Sequence, residues 1–497
     1  MTRPGNSILI SLAGLVIALA AFLIFQNLSS PAIRIWDEAI YADNALDMYS
    51  FGDPIVMRRN GEPTLYNTKP PLVIWLETLS IHVFGVNEFA IRFPSALAGL
   101  LTCILICLYA VNTLNDLRIG IVAILVLTTS QGFVAHHVVK TGDLDAVLVF
   151  WTSFYTLFFL YLLVKRTKKF ESIIVWVGFG VVGAFLSKSV AGLIPVAGLV
   201  VCAFAAHMGF RLLRQWYTWL IAGLVVVACM SYYVIREYAL PGYLYHVYYS
   251  EYTRFNVNIL PWHNHPWYYY FWNWQRLGFF TPYVYWLPVA VLIGLFHKNV
   301  RKATSLMSIQ VVVFIGVLSY PIVKLMWYDA PVYPLLALLC ATGFVVLWDW
   351  FVQKASVREN IRDGAFILVL AGLFCLPVLK MFERNADLYL PVDILEREGF
   401  SIRELKRNHP EFRQYKVLML AQQNAHYTQV DFYLNAYNRY GGYDISLLRD
   451  TTGVSPGDTI LCCQDEQIRW LTTSYPCDTI DTNVIGCVRL AVGIPPE

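Results

Sequence analysis

What most constrains this chain is a series of long apolar runs separated by short polar turns. The first, Ile8 to Phe25, follows a short basic start, Thr2-Arg3-Pro4, and runs into Gln26-Asn27-Leu28 without a small-residue cleavage site. It is too long for the core of a signal peptide and reads as a retained transmembrane helix. Further runs of spanning length, roughly 17–25 residues each, begin near Phe93, Ile119, Leu144, Ile173, Val190, Trp216, Leu277, Leu306, Val332 and Ala365. The expectation is a polytopic α-helical membrane protein with about 11 transmembrane helices, within a range of about 9–13 because short runs near Gly and Pro can be re-entrant. Composition agrees: 57% of the 497 residues are hydrophobic and only 14% are charged, too few charges to cover a soluble protein of this length. The basic residues are scattered between apolar runs instead of forming a stripe, which argues against nucleic acid as a partner.

Charge sets the orientation. With the N-terminus cytoplasmic, the even-numbered turns fall inside: Leu117-Arg118, VKRTKKFE (164–171), FRLLRQW (210–216), HKNVRK (297–302) and VQKASVRENIRD (352–363). All are short and basic, as the positive-inside rule requires. The extracytoplasmic side then receives two long loops, 29–92 and 236–276, and a tail. Loops longer than about 12–15 residues are usually functional. The division expected is a transmembrane domain over 1–380 and an extracytoplasmic α/β domain over 381–497.

Within the first loop, Asp37 to Met48 has helical composition and stops near Gly52, and IVMRRNGEPTLY alternates about an Asn60-Gly61 turn, a hairpin signal. KPPLVIWLETLSIHVFG starts on prolines and ends at Gly85, the pattern of a second helix. Both helices are expected to be amphipathic and to lie at the membrane surface. The aromatic cluster PWHNHPWYYYFWNW (261–274) suits an interfacial belt. In the tail, KVLMLAQQ and DTILCC read as strands, HYTQVDFYLNAY and QDEQIRWLTTSY as helices, and no glycine-rich phosphate fingerprint accompanies them, so no nucleotide is expected. No C-x-x-C pair occurs. Cys462, Cys463, Cys477 and Cys487 lie where one or two disulfides can form, with connectivity open.

The ionisable groups converge on that same side of the membrane. Asp37 and Glu38 open loop one, with Arg58, Arg59 and Lys69 further along it; Asp143 and Asp145 begin the fourth span, and Lys188 lies between the fifth and sixth. His263 and His265 are in loop four, and Lys324, Tyr328 and Asp329 precede the tenth span. Each has a structural alternative: Asp37 and Asp145 as helix N-caps, Glu38 at a helix's positive end, Lys188 snorkelling, the histidines as interfacial residues. Their agreement on one face points instead to transfer of a group from a lipid-borne phosphate. Lysines there neutralise the leaving phosphate, and a carboxylate orients or deprotonates the attacking group.

The ordered set WDEAIYADNALDM, YNTKPPLVIWLETLSIHVFGVNEFAIRFPSALAGL, GDLDAVLVFW, FLSKSVAGLIP and KLMWYDAPVYPLLAL resembles the polyprenyl-phosphate-sugar-dependent membrane glycosyltransferases. The resemblance is to the bacterial lipid A aminoarabinose transferases and, more distantly, to the protein O-mannosyltransferases. The match covers about residues 1–380. It implies a GT-C fold and inverting transfer of a sugar from a polyprenyl (undecaprenyl) phosphate donor to a lipid or glycan acceptor such as lipid A. The reaction would take place among membrane lipids at the outer face of a bacterial inner membrane. Residue by residue, Asp37 matches the first-loop catalytic acid, Lys69 the donor-phosphate lysine with Arg58 or Arg59 beside it, and Asp145, better than Asp143, the second aspartate. Glu38, Asp143, Lys188, His263, Lys324, Tyr328 and Tyr333 would line the site. His263 resembles a metal-associated histidine, so the resemblance carries a divalent metal, zinc or magnesium. Thr68 departs from it, standing where the aminoarabinose enzymes have an acidic ligand, with Glu62 or Glu251 as substitutes. Alternatives are a protein O-mannosyltransferase-like enzyme and, from another class, a transporter or flippase of lipid-linked sugars. The latter should carry ionisable groups near the bilayer midplane and internal repeats, and neither is evident.

Overall fold

The computed structural model describes residues 4–134, 137–167, 170–253, 261–355, 359–386, 391, 394–419, 428–483 and 486–493. The end of the expected strand KVLMLAQQ and the start of the expected helix HYTQVDFYLNAY lie outside the described residues, as do parts of the basic turns 164–171 and 352–363. Among the described residues, eight helical segments are long and apolar enough to cross a membrane. They are Ser7–Phe25, Glu88–Leu114, Asp145–Lys165, Phe170–Ala205, Trp216–Ala239, Arg301–Ser319, Ala330–Lys354 and Ile361–Asn385. Leu117–Thr128 and Tyr283–Phe296, where spans were expected near Ile119 and Leu277, are apolar helices shorter than a full crossing.

The chain separates into two compact units that are not contiguous in sequence: Met1–Gln26, Leu65–Val73 and Phe93–Asn385 in one, Asn27–Thr64, Ile74–Arg92 and Ala386–Glu497 in the other. The first is the helical transmembrane unit. Its neighbouring helices approach through small residues, as expected where lipid supplies no hydrophobic drive and close packing must substitute for it. A Cβ on Gly343 would meet the Ala290 backbone at 2.4 Å, so the helices Tyr283–Phe296 and Tyr333–Lys354 fit face to face only with glycine there. The segment Phe170–Ala205 is broken by a 3-10 turn, Ser189–Leu193. A Cβ at Gly192 would lie 2.4 Å from the Ala184 carbonyl, and the Gly192 carbonyl freed by the break accepts from the Tyr155 hydroxyl at 2.9 Å. Irregular backbone at membrane depth is tolerated when protein groups satisfy it in this way. The break places Lys188 and Ser189 inside the unit.

The second unit joins the Asn27–Arg92 region to the tail. Helix Asp37–Phe51 ends at Gly52 in the left-handed region (φ 70°), whose N–H reaches Met48 O. The strands β1 (Arg58–Arg59) and β2 (Glu62–Pro63) pair antiparallel across Asn60 and Gly61, both at positive φ (52° and 83°). This is the backbone a two-residue hairpin turn requires. The tail folds as a five-stranded sheet in the order β4-β3-β5-β7-β6. Here β3 is Gln414–Leu418, β4 Asp444–Leu448, β5 Thr459–Cys462, β6 Cys477–Thr482 and β7 Val488–Val492. β3, β4 and β5 are parallel, and β7 and β6 close one edge antiparallel. Leu418, Ile460, Cys462, Leu471 and Leu490 form the apolar core beneath it. Cys463 and Cys487 form a disulfide, and Cys462 and Cys477 are free. Helix Asp37–Phe51 packs on the tail helix Thr428–Tyr440.

Candidate functional site

In the transmembrane unit, Lys69 sits on a braced loop. Arg236, fully buried, donates to Asn67 O at 2.8 Å and to the Tyr232 hydroxyl at 3.1 Å, and its guanidinium lies 4.1 Å from the centre of the Tyr243 ring. The Tyr243 hydroxyl donates to Thr68 O at 2.8 Å, and Asn67 Oδ1 accepts from the Lys69 N–H at 3.0 Å. The bonds to Asn67 O, Thr68 O and the Lys69 N–H fix backbone, so Lys69 is held by its neighbours while its own ammonium is paired only with Glu251 among the described residues. The side chains of Lys69 and Glu251 are 20% and 17% exposed, so the charge is shielded yet within reach of a ligand.

A second cluster is joined to the first by contacts. Ser189 bonds the Tyr233 hydroxyl at 2.7 Å, and the Tyr233 ring stands 5.7 Å from that of Tyr243. Next to Ser189, Lys188 donates to both oxygens of Asp145 at 2.7 and 2.6 Å and lies 5.5 Å from the centre of the Tyr328 ring. Asp145 is thus an ion-pair partner and not the N-cap; Leu144 holds the cap position without a side-chain bond. Asp143 accepts from the Thr141 hydroxyl and stands 3.4 Å from His137 Nδ1, and the His137 ring stacks on Trp327 at 3.8 Å. Lysine and aspartate so deeply placed are expensive in a membrane unless paired, and here they are.

Lys324 and Tyr333 are placed differently. The Lys324 ammonium donates to the carbonyls of His265 and Pro321, and its N–H to His263 O at 2.9 Å, so it ties the 261–265 strip to the 320s. Burial lowers its pKa below the ordinary lysine value. Tyr333, fully buried, and the Trp274 indole both donate to Asp329 Oδ2, at 3.3 and 2.6 Å. Position 68 does not supply a metal ligand: the Thr68 hydroxyl bonds Ser250 at 2.9 Å. Among the described residues His263 belongs to no group of three or more converging ligand atoms. The donor set at His263 and position 68 therefore does not fit the zinc or magnesium that the resemblance carried.

In the second unit, Asp37 is the first residue of its helix. Trp36 is the N-cap, with no side-chain cap bond, so Asp37 is not the cap. The half-buried Asp37 carboxylate makes no hydrogen bond or ion pair among the described residues. Its neighbour does the opposite. Glu38 Oε1 accepts from Arg92 Nε at 2.6 Å, and Oε2 from Arg92 Nη2 at 3.0 Å and the Arg34 N–H at 2.7 Å. The rest of the Arg92 guanidinium donates to the carbonyls of Leu28, Pro31 and Ala32 at 2.7–2.8 Å. This closes the turn before the helix while Trp36 is at φ 70°, a conformation that costs a non-glycine residue roughly 1–3 kcal/mol. The adjacent acids thus divide their roles: Glu38 holds the turn, and Asp37 is left open.

Arg58 folds back on its own hairpin, donating to Gly61 O at 2.9 Å and lying 3.6 Å from Asp53. Arg59 stands 3.4 Å from Asp431. Sequence reading passed over Arg92, Arg236 and His137. For the two arginines the signal was available: a lone guanidinium at the end of an apolar run must find partners. His137 carried no local pattern.

A family model described as dolichyl-phosphate-mannose-protein mannosyltransferase matches residues 68–235. An undecaprenyl phosphate-alpha-4-amino-4-deoxy-L-arabinose arabinosyl transferase from Aeromonas hydrophila is 26% identical over 368 residues, 72% of this chain. The chain spans 64% of that relative's length. A protein of the same name from Pseudomonas savastanoi pv. phaseolicola is 27% identical over 392 residues, 77% of this chain and 71% of that one. Among solved structures, ArnT from Cupriavidus metallidurans bound to undecaprenyl phosphate superposes with a TM-score of 0.66 at 15% identity, covering 97% of this chain and 99% of that one. The likeness is one of fold.

Proposed function

We propose that this chain, which resembles the polyprenyl-phosphate-sugar-dependent membrane glycosyltransferases of the GT-C superfamily, is itself an inverting glycosyltransferase. It moves one sugar from a polyprenyl phosphate, undecaprenyl phosphate in a bacterium, to a lipid or glycan acceptor such as lipid A. The reaction occurs at the outer face of the inner membrane, with the N-terminus cytoplasmic and the tail outside.

The observation that carries this reading is Lys69. Its loop is fixed by Arg236 and Tyr243, and its ammonium is balanced by one carboxylate, Glu251, that an incoming phosphate can replace. An ammonium is an adequate phosphate ligand as a point charge. In the reaction an acceptor oxygen attacks the anomeric carbon from the face opposite the phosphate. The new C–O bond forms as the bond to the phosphate oxygen breaks, and the polyprenyl phosphate leaves with the electron pair. Lys69 neutralises the charge growing on that phosphate, and Asp37 orients the acceptor and takes its proton when the acceptor is a hydroxyl. The Asp145–Lys188 pair keeps the transmembrane unit ordered beside the Lys69 loop.

The family model over residues 68–235 favours one second reading, transfer to exported polypeptides. Both are tested by reconstituting the full chain in lipid with radiolabelled polyprenyl-phosphate sugars and following label into lipid, glycan and protein fractions. Label in the lipid or glycan fraction is expected; label in protein would favour the second reading. Label that crosses the bilayer still attached to polyprenyl phosphate, with no transfer, would make the chain a transporter.

A further inference from the structure

The parallel strands β3, β4 and β5 give the tail sheet one side where their carboxyl ends lie together. Open α/β sheets bind ligands in the crevice outside those ends. Two charged residues stand there: Arg449, which directly follows β4, and Asp431, in the first turn of helix Thr428–Tyr440. The β1–β2 hairpin lies across from them, and Arg59, Asn60, Glu62, Pro63 and Thr64 complete the lining of a cavity of about 440 Å³. That volume falls in the range of small-ligand sites.

The lining defines the ligand. Among the described residues no aromatic ring lines the cavity, so that lining offers nothing for a nucleobase or a lipid chain to stack on. Two guanidiniums stand beside two carboxylates, and the balance disfavours a bare phosphate, which Glu62 and Asp431 would repel. Guanidinium, carboxylate and amide are planar groups that meet neighbouring hydroxyls two at a time. The groups are also preset. Asn435 Nδ2 donates to Asn60 Oδ1 at 2.9 Å and to the buried Asp43 Oδ1 at 3.2 Å, while Arg59 faces Asp431 at 3.4 Å. Supporting bonds of this kind hold a binding group in one orientation.

We infer that this cavity is a saccharide-recognition subsite, taking one or two uncharged sugar units of the acceptor. The inference rests on the glycosyltransferase reading and names the chemistry of its acceptor. It also moves Arg59 away from the donor phosphate and to the acceptor.

The test is equilibrium binding to the full chain in lipid nanodiscs, by ligand-observed NMR, with N,N′-diacetylchitobiose, β-1,6-linked N-acetylglucosamine disaccharide and lactose as probes and inorganic phosphate as competitor. At least one disaccharide is expected to bind. Arg449→Ala and Asn60→Ala, both at exposed positions and so safe for folding, should weaken it at least tenfold; Lys69→Ala should leave it unchanged, and phosphate should not displace it. Absence of binding by all three sugars, binding indifferent to Arg449 and Asn60, or displacement by phosphate would overturn the inference. Sugar transfer from a polyprenyl-phosphate donor, measured on the same samples, separates the two readings. Transfer without saccharide binding removes only the subsite, and binding without transfer removes the enzyme reading and with it the acceptor assignment, leaving a saccharide site.

Discussion

Replacing Glu38 by Gln removes one charge from a pair in which both side chains are 1% exposed. Breaking such a pair costs about 3–5 kcal/mol, because the surviving charge stays buried without its counter-ion. Arg92→Met should cost more than Glu38→Gln. Besides the pair, it strips the carbonyls of Leu28, Pro31 and Ala32 of their donor, and each buried acceptor left unsatisfied costs about 1–3 kcal/mol. In the double variant neither charge remains, so the penalty for the orphaned ion disappears while that for the orphaned carbonyls persists. The expected coupling energy is roughly 3 kcal/mol, with the double variant much more stable than the sum of the single losses implies. The assay is unfolding of the four proteins of the cycle in mixed detergent micelles, followed by tryptophan fluorescence. Additive losses, with coupling below about 0.5 kcal/mol, would refute the view that Glu38 and Arg92 act as one buried unit holding the turn ahead of Asp37.

Two further outcomes follow from the second unit. Burial, then the nearby Asp47 and Asp431, push the Asp43 carboxyl up to about 8, so the folded chain holds this proton more tightly than the unfolded one. The stability it contributes is full below the ordinary aspartate pKa and is lost as pH rises through about 8, at a limiting slope of about 1.4 kcal/mol per pH unit. Melting temperatures from pH 5 to 9 should therefore fall less steeply in Asp43→Asn than in the wild type, and an unchanged slope would contradict the reading. Cys463 and Cys487, 24 residues apart, close a loop whose cross-link is worth roughly 3 kcal/mol by chain entropy. The double Ser variant should melt lower than the wild type under oxidising conditions and match it after reduction.

What could be read from the sequence was local or periodic. The Asn60-Gly61 turn and the stops at Gly52 and Gly85 depend on neighbours within a few residues and stand where their pattern put them; apolar helices stand at the apolar runs, although those near Ile119 and Leu277 are shorter than a full crossing. The composition of the second unit was not legible, because it is set by partners far apart in the chain. Arg34 pairs with Glu396 at 2.8 Å and Arg403 with Glu88 at 2.6 Å, linking the tail to the region around residues 27–92. The same holds within the site. By resemblance the sequence set Asp37 ahead of Glu38 as the catalytic acid, but the partner that occupies Glu38 lies 54 residues on and carries no local signal. For Asp145, matched by resemblance to the second aspartate, the local structural alternative was a helix cap, whereas its partner Lys188 is 43 residues away. The 254–260 stretch of the second long loop lies outside the described residues.

If Asp37 and Lys69 carry a sugar transfer from a polyprenyl phosphate, single-turnover transfer in lipid nanodiscs depends on both. Wild type should convert a synthetic polyprenyl-phosphate sugar with inversion at the anomeric carbon. Lys69→Ala should slow the bond-breaking step by about 10²–10³-fold. Asp37→Asn should slow it by about 10²–10⁴-fold while donor binding is retained. Transfer at wild-type rates in both variants, or a product with retained configuration, would contradict the account.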